Sequence, residues 1–192
     1  MNYKMIGKFI GKILLVEAVF MLPAYAISLY YHEEEAVRAL LISMVITLLT
    51  GGVMVAMTRG TRKGFHAKEG MVCVGISWIV LALFGALPFF FSGAIPHYVD
   101  ALFEIVSGFT TTGASILPEV ESMPYGLLYW RSFSHWLGGM GVLVFLLAVS
   151  SGDERSKGFT MHIVRAESPG PQVGKLVPRM KQTAEILYVL YI

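Results

Sequence analysis

Charge is scarce in this sequence, and cysteine is nearly absent. Only 15% of the 192 residues are Asp, Glu, Lys or Arg, against 55% apolar residues, and a mean hydropathy of +0.64 lies well outside the range of soluble domains. The single cysteine, Cys73, excludes an internal disulfide framework and a paired-cysteine metal site. Within an apolar run it reads as a small buried residue. Zinc-binding HExxH and nucleophile-elbow GxSxG patterns are missing. Ser134 and His135 are sequence neighbours that point to different helix faces, so neither they nor Ser115 make a nucleophile and base. The glycines of GKFIGK and SPGPQVGK lack the strand, turn and Lys-Ser/Thr context of a phosphate loop. No basic, aromatic-interleaved patch suits nucleic acid. These absences argue against an enzyme or a nucleic-acid binder and leave an integral membrane protein.

What the sequence does have is long apolar runs. Crossing roughly 30 Å of hydrocarbon takes a helix of about 20 mostly apolar residues. Four runs qualify: Ile10 to Tyr31, Ala36 to Met57, Met71 to Phe91 and Tyr125 to Val149. The first imitates a cleaved leader, but its apolar part runs on through ISLYY and carries Glu17 and Pro23, so it is expected to be retained. A further run, AEILYVLYI from Ala184, spans about nine residues, too few to cross; a longer chain of which this is part is the expectation.

The net charge of +2 averages two unlike faces. Lys4, Lys8 and Lys12, the loop residues Arg59, Arg62, Lys63 and Lys68, and the basic residues after the fourth run share one side if the spans alternate. Glu33, Glu34, Glu35, Asp100, Glu104, Glu119 and Glu121 share the other. The positive-inside rule then predicts a cytoplasmic N-terminus.

Between the third and fourth runs lies a segment, 92–124, that is no ordinary loop. HYVDALFEIVSGF has Val99, Leu102, Phe103 and Val106 at helical spacing, Pro96 ahead and Gly108 at its end. About twelve helical residues give roughly 18 Å, half a membrane. TTTGASILPEVESMP follows, without helical patterning. The reading is a half-helix entering from the outer face and an extended strand returning. Non-helical backbone at membrane depth is tolerated only inside protein or against a watery cavity. The half-helix would aim the negative end of its dipole at mid-membrane, where threonine carbonyls could replace the hydration shell of a cation. Gly113, without a Cβ, can take positive φ.

With FEIVSGFTTTGAS followed by LLYWRSFSHWLGGMGVLVF, the chain resembles the first pore repeat of the Trk/Ktr/HKT superfamily of potassium transporters, and most closely the bacterial Trk-type transmembrane subunit. The resemblance covers almost the whole chain and implies an all-α integral membrane protein: two N-terminal transmembrane helices, then one membrane-pore-membrane repeat with a re-entrant half-helix and an extended filter strand. It divides the chain into an N-terminal helix pair at 1–60, the first repeat at 61–151, and a cytoplasmic linker with the truncated start of the next repeat at 152–192. It implies that the carbonyls of Thr110, Thr111, Thr112 and Gly113 ligate K⁺ as the transported ion, with no cofactor. The implied location is the bacterial cytoplasmic (inner) membrane, multi-pass. The implied partners are membrane lipid, the remaining pore repeats or further copies of the chain in a homo-oligomer, and a cytoplasmic nucleotide-binding regulatory subunit. One strand supplies only about a quarter of a four-sided cage, so the chain alone is not expected to conduct. A non-conducting accessory or scaffold subunit is the alternative.

Other polar residues admit plainer readings. Asp100 and Glu104, one turn apart, could gather cations at the outer mouth or form a solvated face. Arg131 reads as a residue snorkelling to the headgroups, and His135 as a hydrogen-bonded packing residue. Glu17 is costly at mid-bilayer, although Lys12 is near enough to suggest an interfacial pair. Gly138, Gly139 and Gly141 permit close helix approach or a bend.

Overall fold

The computed structural model describes residues 3–58 and 67–140. Helices make up its regular structure, and the described residues include no strand. In chain order they are α1 (Tyr3–Phe20), α2 (Leu22–Tyr30), α3 (Glu34–Met57), α4 (Ala67–Gly85), α5 (Leu87–Phe91), α6 (Tyr98–Phe109) and α7 (Tyr125–Met140). Among the described residues, three stretches are long and apolar enough to span a membrane: Tyr3–Tyr30, Glu34–Met57 and Val72–Phe91. The expected fourth span begins as α7, and its continuation past Met140 lies outside the described residues, as do the basic loop at 59–66 and the expected linker at 152–192.

Two of the spans are broken at the same dipeptide. Leu22-Pro23 follows the break between α1 and α2, and Leu87-Pro88 follows the break between α4 and α5. A proline carries no N–H and its ring crowds the carbonyl four residues back, so the helix interrupts just ahead of it. The chain keeps its direction through both breaks by ordinary helical bonds, Met21 N–H to the Glu17 carbonyl at 3.1 Å and Ala86 N–H to the Ala82 carbonyl at 3.1 Å. At the second break, the carbonyls of Leu83 and Gly85 receive the Tyr98 hydroxyl at 2.7 Å and the Trp130 indole N–H at 2.9 Å. These carbonyls flank that of Phe84, the one four residues before Pro88, and later parts of the chain use them.

The helices α1 and α3 form an antiparallel pair. At their crossing a Cβ on Gly51 would lie 2.8 Å from the Gly11 carbonyl oxygen, so the two backbones are in contact. Leu14, Met21, Leu40, Phe89, Ile105 and Trp130 anchor one continuous core shared by this pair and α6. On the far side of α3, Leu41, Val45, Leu49 and Val53 are exposed, as a helix facing lipid requires. Hydroxyls inside the spans are closed locally: Ser43, Thr47 and Ser77 each bond the carbonyl four residues back, at 2.7, 2.7 and 2.6 Å.

The spacing of apolar residues identifies α6 as a helix but not which face it buries. Val99, Phe103 and Val106 are exposed, whereas Ala101, Glu104, Ile105 and Gly108 are buried. The apolar stripe points outward and the carboxylate inward, the reverse of a soluble amphipathic helix.

Candidate functional site

The candidate site is built where α6 ends. Its last helical residue is Phe109, and Thr110 takes φ −85° and ψ 2°, Thr111 turns to φ +55° and Gly113 to φ +75°. Thr111 N–H bonds the Gly108 carbonyl at 2.9 Å and Thr112 N–H bonds the Ser107 carbonyl at 3.0 Å. This crossed pair of bonds around a left-handed residue is a Schellman termination. Glycine is the usual occupant of the left-handed position. A β-branched threonine there costs roughly 1–2 kcal/mol, so the surroundings hold it against its preference. Gly113, next to it but one, has nothing within 4 Å of where a Cβ would stand; its glycine is required by φ rather than by space.

The threonine hydroxyls are used locally. Thr110 Oγ1 donates to the Val106 carbonyl at 2.8 Å, Thr111 Oγ1 donates to the Thr110 carbonyl at 2.7 Å, and Thr112 Oγ1 sits 2.8 Å from Thr110 Oγ1. The Ser107 hydroxyl reaches across the turn to the Ala114 carbonyl at 2.6 Å and ties the returning chain to the helix. Among the described residues, no hydrogen bond ends on the carbonyl of Thr111, Thr112 or Gly113. All four expected filter residues are exposed on this chain. The backbone from Thr110 onward leaves the helix, but as a tight turn followed by irregular chain, not as a uniformly extended strand.

Glu104 stands elsewhere than at an outer mouth. It is fully buried, and its carboxylate forms an ion pair with the Arg131 guanidinium of α7. The other oxygen accepts the Ser115 hydroxyl at 3.0 Å and the Ile116 N–H at 3.1 Å. Arg131 therefore turns into the protein instead of snorkelling to the headgroups. Taking both charges out of water is tolerable because the geometry is close and the spare lone pairs are filled. The outcome is a clasp joining α6, α7 and the returning segment. Sequence reasoning missed it because the two ends lie 27 residues apart and each has a plausible surface role alone. Asp100, one turn earlier, is half-buried and does not share the clasp.

α7 crosses directly under the turn. A Cβ on Gly138 would collide with the Phe109 carbonyl, so of the two roles open to LGGMG, close approach applies at this glycine; Gly141 lies outside the described residues. The His135 ring places Nδ1 2.9 Å from the Arg131 carbonyl oxygen and donates to it in the tautomer protonated there, which makes it a packing residue. Glu17 is also not the interfacial partner of Lys12. It is buried behind α6 with neither oxygen hydrogen-bonded among the described residues, while Lys12 is exposed. No group of His, Cys, Asp and Glu suited to a metal occurs among the described residues.

The chain is similar to known proteins in sequence and in fold. Over its whole length the chain is 36% identical to the Trk system potassium uptake protein TrkH of Halomonas elongata, and covers 39% of that protein. It is 34% identical to the protein of the same name from Escherichia coli K12, again covering 39%. Among solved structures, the crystal structure of the potassium transporter TrkH from Vibrio parahaemolyticus matches with a TM-score of 0.77 and 26% identity, over 100% of this chain and 37% of that one. The chain thus spans about two fifths of the length of these relatives. The model of the TrkH family, described as cation transport proteins, matches residues 36–192. A family of transporters rather than enzymes accounts for the sequence, the helices and their order together, and the chain belongs to the TrkH family of cation transport proteins.

Proposed function

We propose that this chain contributes one quarter of a potassium pathway, with the main-chain carbonyls from Thr110 to Gly113 replacing water around K⁺ once the remaining repeats complete the ring. The observation that carries this reading is the end of α6. The Schellman turn draws the N–H groups of Thr111 and Thr112 back onto the helix and leaves the carbonyls of Thr111, Thr112 and Gly113 without a partner among the described residues. Uncommitted carbonyls in a rigid, strained turn, at the negative end of a helix dipole, suit a dehydrated cation.

On this reading 61–151 is the first membrane-pore-membrane repeat, α6 is re-entrant, and 1–60 is an added helix pair. The exposed apolar residues Val99, Phe103 and Val106 face the neighbouring repeats or lipid. K⁺ is drawn inward by the membrane potential, and Asp100 raises its concentration at the outer mouth. The relatives named as Trk system potassium uptake proteins support potassium as the ion. They also support a place in the bacterial inner membrane, and the positive-inside rule puts the basic loops and N-terminus on the cytoplasmic side. A cytoplasmic nucleotide-binding regulatory subunit and a homo-oligomeric assembly belong to the same proposal, and no cofactor is required.

Gly113→Ser in the full-length transporter tests it. A serine must hold φ near +75° at a cost of roughly 1–2 kcal/mol, and relieving that strain rotates the carbonyls on either side. The expected result is K⁺ over Na⁺ discrimination reduced about tenfold or more, measured as Rb⁺ and Na⁺ uptake into proteoliposomes. Unchanged discrimination overturns the filter assignment.

A further inference from the structure

The first turn of α7 should be the weakest part of the site, because the leading N–H groups of a helix have no partner within it. The first two are satisfied by a residue more than ninety positions earlier. Glu33, in the turn between α2 and α3, accepts the Tyr125 N–H at 2.5 Å on one oxygen and the Gly126 N–H at 3.1 Å on the other, which also receives the Ser28 hydroxyl at 3.0 Å. A carboxylate here also meets the positive end of the α7 dipole.

Three further contacts hold the same corner. Tyr31 stacks on Tyr125 with ring centroids 4.4 Å apart. A Cβ on Gly126 would stand 2.7 Å from the Ala24 carbonyl oxygen and collide with Ser28, so α2 and α7 touch backbone to backbone. His32, just before Glu33, holds φ +57°, and the Glu33 N–H is fixed to the Ser28 carbonyl at 3.0 Å. The carboxylate is therefore aimed by its own backbone. Its neighbours are not: Glu34 and Glu35 are exposed, and the Glu34 carboxylate pairs with Arg38 of its own helix, at 3.0 Å.

We propose that Glu33 is a positioning residue for ion selectivity, by which the N-terminal helix pair sets the geometry of the filter strand from outside the pore repeat. The route is continuous. Glu33 fixes the start of α7, α7 carries Arg131 less than two turns later, Arg131 pairs with Glu104, and Glu104 holds Ser115 and Ile116 just beyond the filter residues. A helix start free to shift passes its displacement to the guanidinium, and through it to the returning chain. This rests on the proposed role of Thr110 to Gly113.

The test uses the full-length transporter in proteoliposomes, with Rb⁺ and Na⁺ uptake normalised to inserted protein. Glu33→Ala is expected to raise the KM for Rb⁺ and lower its discrimination over Na⁺ by roughly three- to tenfold, while the maximal rate stays within about twofold. Glu33→Gln, with one acceptor oxygen left, should fall between Glu33→Ala and the parent, and Glu34→Ala should match the parent. If Glu33→Ala does not insert, Glu33→Gln carries the measurement. A variant that only lowers the amount inserted, with KM and discrimination unchanged, overturns the proposal and makes Glu33 a structural cap; so does one with no effect. If Gly113→Ser shifts discrimination and Glu33→Ala does not, the positioning role falls and the filter stands. If neither shifts it, the filter reading falls first.

Discussion

Two helix crossings of this molecule are built differently. Where α1 meets α3, contact is backbone against backbone at Gly11 and Gly51, within apolar surroundings, and hydroxyls such as Thr47 are spent on their own helix. Where α6 meets α7, contact is equally close at Phe109 and Gly138, yet polar groups reach between elements: Arg131 to Glu104, Glu104 to Ser115 and Ile116, and Trp130 to the Gly85 carbonyl. In lipid, apolar contact alone does not distinguish helix from helix, since the surrounding chains are as apolar as leucine. The first crossing needs only to hold. The second orients a strained turn, and directional bonds are what fix an orientation.

The largest effect should come from splitting the ion pair. Arg131→Met leaves the Glu104 carboxylate buried with a hydroxyl and one N–H but no counter-charge, a loss of about 3–5 kcal/mol. The measurement is thermal stability of the full-length transporter in detergent, with Rb⁺ uptake alongside. Adding Glu104→Gln to Arg131→Met should restore most of the stability, because the buried charge is gone. A double variant no better than the single one would mean that the two residues are not energetically coupled.

The second contrast places one extra methyl at each crossing. Gly51→Ala and Gly138→Ala both force backbones apart, each at about 1–3 kcal/mol. Gly138 bears on Phe109, the residue directly before Thr110, so its variant should alter Rb⁺ over Na⁺ discrimination in the protein that still inserts. Gly51→Ala should reduce stability and leave discrimination unchanged. A selectivity change in Gly51→Ala would erase the distinction between the two crossings.

The difference between the crossings also explains what was readable in the sequence. Apolar runs report helices that face lipid; they locate α3 and α4 to within a few residues, whereas α1 begins at Tyr3, well ahead of the run expected from Ile10. The short helix α6 is legible because its apolar spacing falls short of a span, although it runs past Gly108, read as its end, to Phe109. The Leu-Pro pairs at Leu22-Pro23 and Leu87-Pro88 could also have located the helix breaks. The clasp was not legible, because Glu104 and Arg131 are joined by packing alone; neither residue's neighbourhood in the chain distinguishes a buried pair from two surface charges. Glu33 was hidden for the same reason, lying in a run of three glutamates of which only the first faces α7. The left-handed Thr111 contradicts residue preference, and such a position emerges only when tertiary contacts overrule the local ones.

The smallest contrast removes a single hydroxyl from each region. Ser77 donates to the Cys73 carbonyl four residues back, at 2.6 Å, within a helix where that carbonyl already has a backbone partner. Replacing Ser77 by Ala thus removes a donor without stranding its acceptor, and stability should change by less than about 0.5 kcal/mol. Ser107 donates over the same 2.6 Å, but to the Ala114 carbonyl, which lies past the turn and outside any helix. Ser107→Ala should cost about 1 kcal/mol and loosen the returning chain next to Gly113. It should therefore raise the KM for Rb⁺ severalfold in the full-length transporter at near-normal insertion. Equal effects from the two variants would mean that the hydroxyl across the turn is no more than local, and that the Glu104 clasp alone keeps the returning chain in place.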